Sequence, residues 1–171
     1  MGENLAVEGR LAVRTPMQWT ADAKGGFSTA APSRFPAPLV DGSFAPQYVN
    51  VGDQRNDPDS MLSFIRLLIR RYRDCPELGW GTFTVLDQPI GSVLAHECRS
   101  DEARLIAVHN VGSGPQTVKL TLADADESAT LHDLLEHGVT PVGADGSTEL
   151  TVDGYGYRWF RLVQPGDRRI L

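Results

Sequence analysis

The sequence predicts a mainly β chain: an antiparallel β-sandwich, preceded by a long irregular segment and one amphipathic helix. Three observations carry this. From Thr82 onward apolar residues alternate at a period of two, in short runs separated by turn residues. Between Met61 and Tyr72 they recur at i, i+3, i+4 and i+7. Before Asn56 neither period is present, and proline and glycine punctuate the chain instead.

Residues 1–56 form the irregular segment, with Pro16, Pro32, Pro36, Pro38 and Pro46 spread along it. Loops beyond about 12–15 residues are uncommon inside compact domains and are usually functional. Trp19, Phe27, Phe35, Phe44 and Tyr48 are too many aromatics for ordinary disorder, so the segment reads as a loop built to lie against something. Residues 57–76 form the helix. Asp57 is placed to cap it, Pro58 suits a first turn, and Asp59 suits the positive end of the dipole. Met61, Leu62, Ile65, Leu68, Ile69 and Tyr72 make its apolar face, which Phe64 and Leu67 widen, so neighbours are expected on more than one side. Arg66, Arg70 and Arg73 read as a solvated face, and Pro76 ends the helix.

Residues 78–164 form the sandwich. Strands are expected at 82–86, 92–98, 104–110, 117–122, 130–135, 149–152 and 155–162. Gln88-Pro89-Ile90-Gly91, Gly112-Ser113-Gly114-Pro115 and Asp145-Gly146 supply turns between them. In the third strand Leu105, Ala107 and His109 share one face and Ile106, Val108 and Asn110 the other, so it should be covered on both sides. Residues 165–171 read as a charged tail.

Size and charge exclude several classes. A chain of 171 residues is shorter than the roughly 250 that a (β/α)8 barrel needs. Sixteen basic against 22 acidic side chains give a net charge of −6, which argues against nucleic acid or an anionic membrane as partner. No apolar run follows a basic start at the N-terminus, so no signal peptide is expected, and no apolar run approaches membrane length. Cys75 and Cys98 lack metal-ligand spacing and read as reduced thiols of a cytoplasmic protein.

The candidate functional stretch is Arg14-Thr15-Pro16-Met17-Gln18-Trp19. Arg14 offers a planar fork of donors suited to a carboxylate or to sugar hydroxyls. Gln18 adds a donor and an acceptor, and Met17 and Trp19 add apolar bulk that can lock a loop or face a sugar ring. Packing within the loop is the simpler reading for Gln18 and Trp19.

This hexapeptide resembles the RTPMQW loop of glycoside hydrolase family 13, the α-amylase superfamily. Gly2-Glu3-Asn4-Leu5, Gly25-Gly26-Phe27-Ser28, Tyr48-Val49-Asn50-Val51 and Tyr155-Gly156-Tyr157-Arg158-Trp159-Phe160 extend the resemblance over nearly the whole chain. Within the family the likeness is greatest to the trehalose synthase branch and next to oligo-1,6-glucosidases and other α-glucosidases. The resemblance implies that residues 1–56 are the β8→α8 loop of a barrel, that 57–76 is barrel helix eight, and that the sandwich is the family's C-terminal domain. The implied reaction interconverts maltose and trehalose by retaining glucosyl transfer, with no organic cofactor. The family's catalytic carboxylates lie on earlier barrel strands, so the chain is expected to be inactive alone, with the absent barrel as its partner. In exo-acting members the hexapeptide arginine pairs with an aspartate from an early barrel loop and holds the terminal glucose in subsite −1. The resemblance implies that role for Arg14, and a lesser substrate contact for Gln18.

Other candidates read more simply as structure. Retaining glycosidases need two carboxyl groups about 5–5.5 Å apart. The densest acidic run here, Asp124-Ala125-Asp126-Glu127, reads as a solvated turn. His96, His109, His132 and His137 show no metal-ligand pattern, and Ser92, Ser113 and Ser147 show no nucleophile elbow. Two further readings stand beside the main one: a sandwich that binds carbohydrate without catalysis, through Trp80, Tyr155, Tyr157 or Trp159, and a truncated reading frame in which Met1 is an internal residue. Alternation places Tyr155, Tyr157 and Trp159 on one face, where burial in the core is expected.

Overall fold

The computed structural model describes residues 9–167. The chain divides into two compact units, one up to Leu67 and one from Leu68.

The first unit is mostly irregular, with single 3₁₀ turns at Gly9–Val13, Pro32–Arg34 and Gly42–Phe44. It departs from the expected continuous loop at its end, where Val51–Asn56 forms a short helix, α1. Asn50 caps it in extended conformation. Its side-chain oxygen accepts the Asp53 N–H at 2.9 Å, and its amide donates to Asp53 Oδ2 at 2.7 Å and to the Pro46 carbonyl at 3.0 Å. Six residues are too few to show a helical stripe, so only the Asn-x-x-Asp pattern announces this element.

The amphipathic helix α2 spans Met61–Asp74 and begins four residues later than the sequence suggests. Asp57 is not its cap, because its carboxylate is used to accept the Asp59 N–H at 2.9 Å in the turn before the helix. Ser60 takes the capping role, its hydroxyl accepting the Ser63 N–H at 3.2 Å. Met61, Ile65, Ile69 and Tyr72 form an exposed apolar stripe at helical spacing. After Pro76 a single turn, α3 (Glu77–Trp80), leads into the sheet.

Among its described residues the second unit contains eight antiparallel strands: β1 Thr82–Val85, β2 Val93–Arg99, β3 Arg104–Asn110, β4 Gln116–Thr121, β5 Thr130–Asp133, β6 Val139–Pro141, β7 Ser147–Val152 and β8 Tyr157–Val163. One sheet has the order β1-β2-β3-β8-β5-β6, and β4 pairs with β7 in the other. Strand β6 was not evident in the sequence. It is three residues long, pairs His132 with Val139, and carries Pro141, which only an edge strand tolerates. Strand β5 stops at Asp133, whose carboxylate accepts the Leu135 and Glu136 amides at 2.9 and 2.8 Å and turns the chain. Tyr155, expected in the last strand, lies in the preceding turn at φ 55°.

The core lies between the sheets. Ile106, Val108 and Phe160 from the large sheet meet Val118, Leu120 and Val152 from the small one. On the other face of the large sheet Leu105, Ala107 and Cys98 pack with Cys75, Leu134, Leu78 and Trp159. Strand β3 is therefore covered on both faces, as its apolar sequence predicts, and only His109 is half-exposed. The second cluster contains a buried ion pair. Arg161 Nη2 donates to Glu77 Oε1 at 2.7 Å and also reaches Cys75 Sγ at 3.1 Å and the Asp74 carbonyl at 3.3 Å. Both side chains are almost wholly enclosed, at 1% and 0% exposure.

Removing one partner of such a pair strands the other charge in an apolar medium, at a cost of about 3–5 kcal/mol. Glu77→Gln should therefore lower the urea midpoint of the second unit sharply. The paired replacement Glu77→Leu with Arg161→Met should lower it less, because no charge is then left unmatched.

Candidate functional site

The hexapeptide is a loop held by its far end. Trp19 N–H donates to the Gly25 carbonyl at 2.6 Å, closing a turn through Gly25 and Gly26. Both glycines have positive φ, at 61° and 63°, and a Cβ on Gly26 would come within 2.8 Å of the Thr20 hydroxyl. The Gln18 and Trp19 carbonyls accept the Val51 and Gly52 amides at 2.9 and 3.0 Å, satisfying two N–H groups at the start of α1. Gln18 Nε2 donates to the Phe44 carbonyl at 3.1 Å and to the Val49 carbonyl at 2.5 Å.

Pro16 is buried, Met17 and Trp19 are about half-exposed, and Arg14 is exposed. The Arg14 side chain makes no hydrogen bond or ion pair with any described residue. A cleft of about 310 Å³ opens beside the loop, lined by Thr15, Met17, Gln18, Asn50 and Gln54 among others, and Arg14 is not in its wall. A wider groove of about 880 Å³ runs past Asp22, Asp41 and Tyr48. Thr20 Oγ1 donates to the Asp22 carboxylate at 2.6 Å.

The structure thus places Arg14 and Gln18 on one loop but in different settings: the arginine fork is in solvent, and the glutamine amide is engaged with backbone. The partners of Gln18, at Phe44 and Val49, leave no mark in the sequence, because nothing there ties residues 26 and 31 positions apart.

The remaining ionisable groups are tied up structurally. The buried acids among the described residues are Glu77, Glu97 and Asp133. Each is matched by an arginine: Glu77 by Arg161, Glu97 by Arg104, and Asp133 by Arg158 at 2.6 Å. None has the unpaired apolar setting that keeps a carboxyl protonated for acid catalysis. Asp124 is exposed and bridges to Arg99 at 3.0 Å. Burial pushes the Cys75 thiol up to about 11, with Arg161 opposing, and burial also raises Cys98, so neither is a ready nucleophile. The four histidines occupy separate settings, except that His96 and His109 stack with ring centroids 5.9 Å apart and Phe83 lies 4.8 Å from His96. His132 bonds the Thr130 hydroxyl at 3.1 Å. Among the described residues no group of three His, Cys, Asp or Glu side chains is arranged to hold a metal.

The aromatic candidates for sugar stacking do not form the expected buried row. Trp159 packs on the second cluster, Tyr157 is 39% exposed, and Tyr155 and Trp80 stand out at 72% and 91%.

Comparison with known proteins gives a consistent picture. Residues 103–161 match a family model described as the C-terminal domain of sucrose hydrolase-like proteins. Trehalose synthase from Pimelobacter sp. (strain R48) is 34% identical over 96% of this chain, which spans 30% of that protein. The trehalose synthase/amylase of Mycobacterium tuberculosis (strain H37Rv) is also 34% identical, over 95% of this chain and 28% of its own length. The solved trehalulose synthase MutB from Pseudomonas mesoacidophila MX-45 superposes with a TM-score of 0.67 at 25% identity, covering 94% of this chain and 27% of that one. The chain therefore spans under a third of the length of these relatives.

The stacked imidazoles give a pH dependence with a definite sign. Burial lowers the proton affinity of both His96 and His109 below the ordinary 6.5, and for His96 the neighbouring His109 lowers it further. The unfolded chain then binds more protons than the folded one, so stability rises with pH across this range. The urea midpoint of the sandwich should be flat above 6.5 as far as these groups are concerned, and should fall as pH drops below that value. His96→Gln with His109→Gln should flatten that fall.

Proposed function

The chain matches in sequence and fold the C-terminal region of the trehalose-synthase-like enzymes of glycoside hydrolase family 13, and on that premise we propose that it completes the sugar pocket of such an enzyme. In the complete enzyme a (β/α)8 barrel brings the two carboxyl groups of a retaining mechanism. One attacks the anomeric carbon of maltose, and the other protonates the leaving glycosidic oxygen. The freed glucose then turns and attacks the covalent glucosyl-enzyme through its own anomeric hydroxyl, giving trehalose. Water in its place gives glucose.

This chain's part is Arg14. Its planar fork closes the pocket floor beside an aspartate from the barrel and donates to hydroxyls of the terminal glucose, which selects chain ends over chain interiors. The observation that supports this reading is the solvent-facing Arg14 with no described partner, on a loop whose far end is bonded to α1, in a chain related to trehalose synthases along nearly its whole length. No described helix is long and apolar enough to cross a membrane. With Cys75 and Cys98 both free, we place the enzyme in the cytoplasm.

The purified chain should convert no maltose to trehalose or glucose, and turnover by it would overturn the proposal. In the enzyme that joins this region to its barrel, Arg14→Ala should lower kcat/KM for maltose by about 10- to 150-fold, the loss of one charge-assisted hydrogen bond worth about 1.5–3 kcal/mol. An unchanged kcat/KM would remove Arg14 from the pocket. Saturable binding of maltose by the chain alone would instead favour a sugar-binding sandwich, for which Trp80 and Tyr155 are the exposed rings.

A further inference from the structure

Between Arg14, which follows the 3₁₀ turn at Gly9–Val13, and Gln18 lie three residues, Thr15 to Met17, whose backbone makes no hydrogen bond to another described residue. Pro16 has no N–H to give, and its ring is buried. The first fixed point after Arg14 is Gln18, which is anchored three times. Its carbonyl accepts Val51 N–H at 2.9 Å, and its amide nitrogen donates to Phe44 O at 3.1 Å and Val49 O at 2.5 Å.

The orientation of this amide follows from chemistry. Both neighbours are carbonyl oxygens, which only accept, so the NH₂ end must face them. The opposite atom, Oε1, is buried and without a protein partner. A side chain whose two donors are committed to backbone 26 and 31 residues away is tying loops together. We propose that Gln18 is a positioning residue, an amide clamp that fixes the far end of the short segment Thr15 to Met17 and so holds Arg14 where a sugar can meet it. This replaces the direct substrate contact that the family resemblance implies for Gln18. The clamp depends on the proposed function only for what it positions, and not for its existence.

The test uses two variants of the chain. Gln18→Glu turns two donors into a carboxylate facing two carbonyls. At neutral pH it should repel them, and exchange protection of the Trp19, Val51 and Gly52 amides, corrected for intrinsic rates, should fall by about tenfold or more. Below the titration of that carboxyl one O–H donor returns, and protection should recover. Gln18→Leu should lose protection at every pH, and the wild type should keep it. The Ile106 and Phe160 amides in the sandwich should be indifferent to both variants, which separates loop release from unfolding. Retained protection in both variants would overturn the clamp, and so would a loss in Gln18→Glu that acid does not reverse.

In the enzyme joined to its barrel, Gln18→Leu should lower kcat/KM for maltose about tenfold, and adding Arg14→Ala should cost less than it does in the wild type. Additive losses would show that Gln18 does not act through Arg14. If the exchange result holds while Arg14→Ala alone leaves kcat/KM unchanged, the clamp stands and the sugar role of Arg14 falls.

Discussion

The second unit depends on two opposite charges that have no water around them. Arg161 on β8 and Glu77 on α3 are sealed at 1% and 0% exposure, where desolvating each ion costs several kcal/mol. Their contact at 2.7 Å, with the Asp74 carbonyl and the Cys75 sulfur as further acceptors, offsets part of that cost, while Arg161 Nε and Nη1 and Glu77 Oε2 are buried without a hydrogen-bond partner among the described residues. The same side chain therefore holds the end of α2, the turn after it and the sheet in one register. Because α3 is held there, Cys75 and Leu78 can cover Leu105 and Ala107, and β3 becomes a strand with apolar residues on both faces. The Cys75 thiol, pushed up to about 11 by the same enclosure, contributes bulk and a weak acceptor in place of reactivity.

The first unit is held by another device. No sheet ladder runs through its described residues, so its backbone groups are satisfied by isolated backbone contacts and by side chains. Asn50 caps α1 and holds Pro46, Ser60 caps α2 and holds Gln54 and Asp57, and Gln18 holds Phe44 and Val49. Each is an amide or hydroxyl with donors and acceptors on one short stem, which suits it to meeting two backbone segments at once. Such a loop has a fixed course without a large core. That is the property the proposed role of Arg14 requires.

How much of this was legible in the sequence follows from what leaves a period. The sandwich strands alternate, so β1 to β5, β7 and β8 could be placed within a few residues. Val139–Pro141 could not, because three residues carry no period and a proline argues against a strand. Helix α2 announces itself through its stripe, but its cap does not: Asp57 and Ser60 are both good N-caps, and only the turn made by Asp57 and Asp59 decides between them. Arg14 could be singled out by residue type and by family likeness. The clamp at Gln18 could not, since its partners are main-chain carbonyls, which have no sequence signature. The matching of Arg161 to Glu77 across 84 positions was hidden for the same reason that any long-range pair is hidden.

Where Arg14 lies in the complete enzyme decides its proposed role. A crystal structure of the enzyme that carries this region with its barrel, soaked with glucose, measures it directly. The Arg14 guanidinium should lie within hydrogen-bond distance, about 2.7–3.2 Å, of both a glucose hydroxyl and a carboxylate from outside this chain. Glucose bound elsewhere, with Arg14 still in solvent or paired to an acid of this chain, would contradict it.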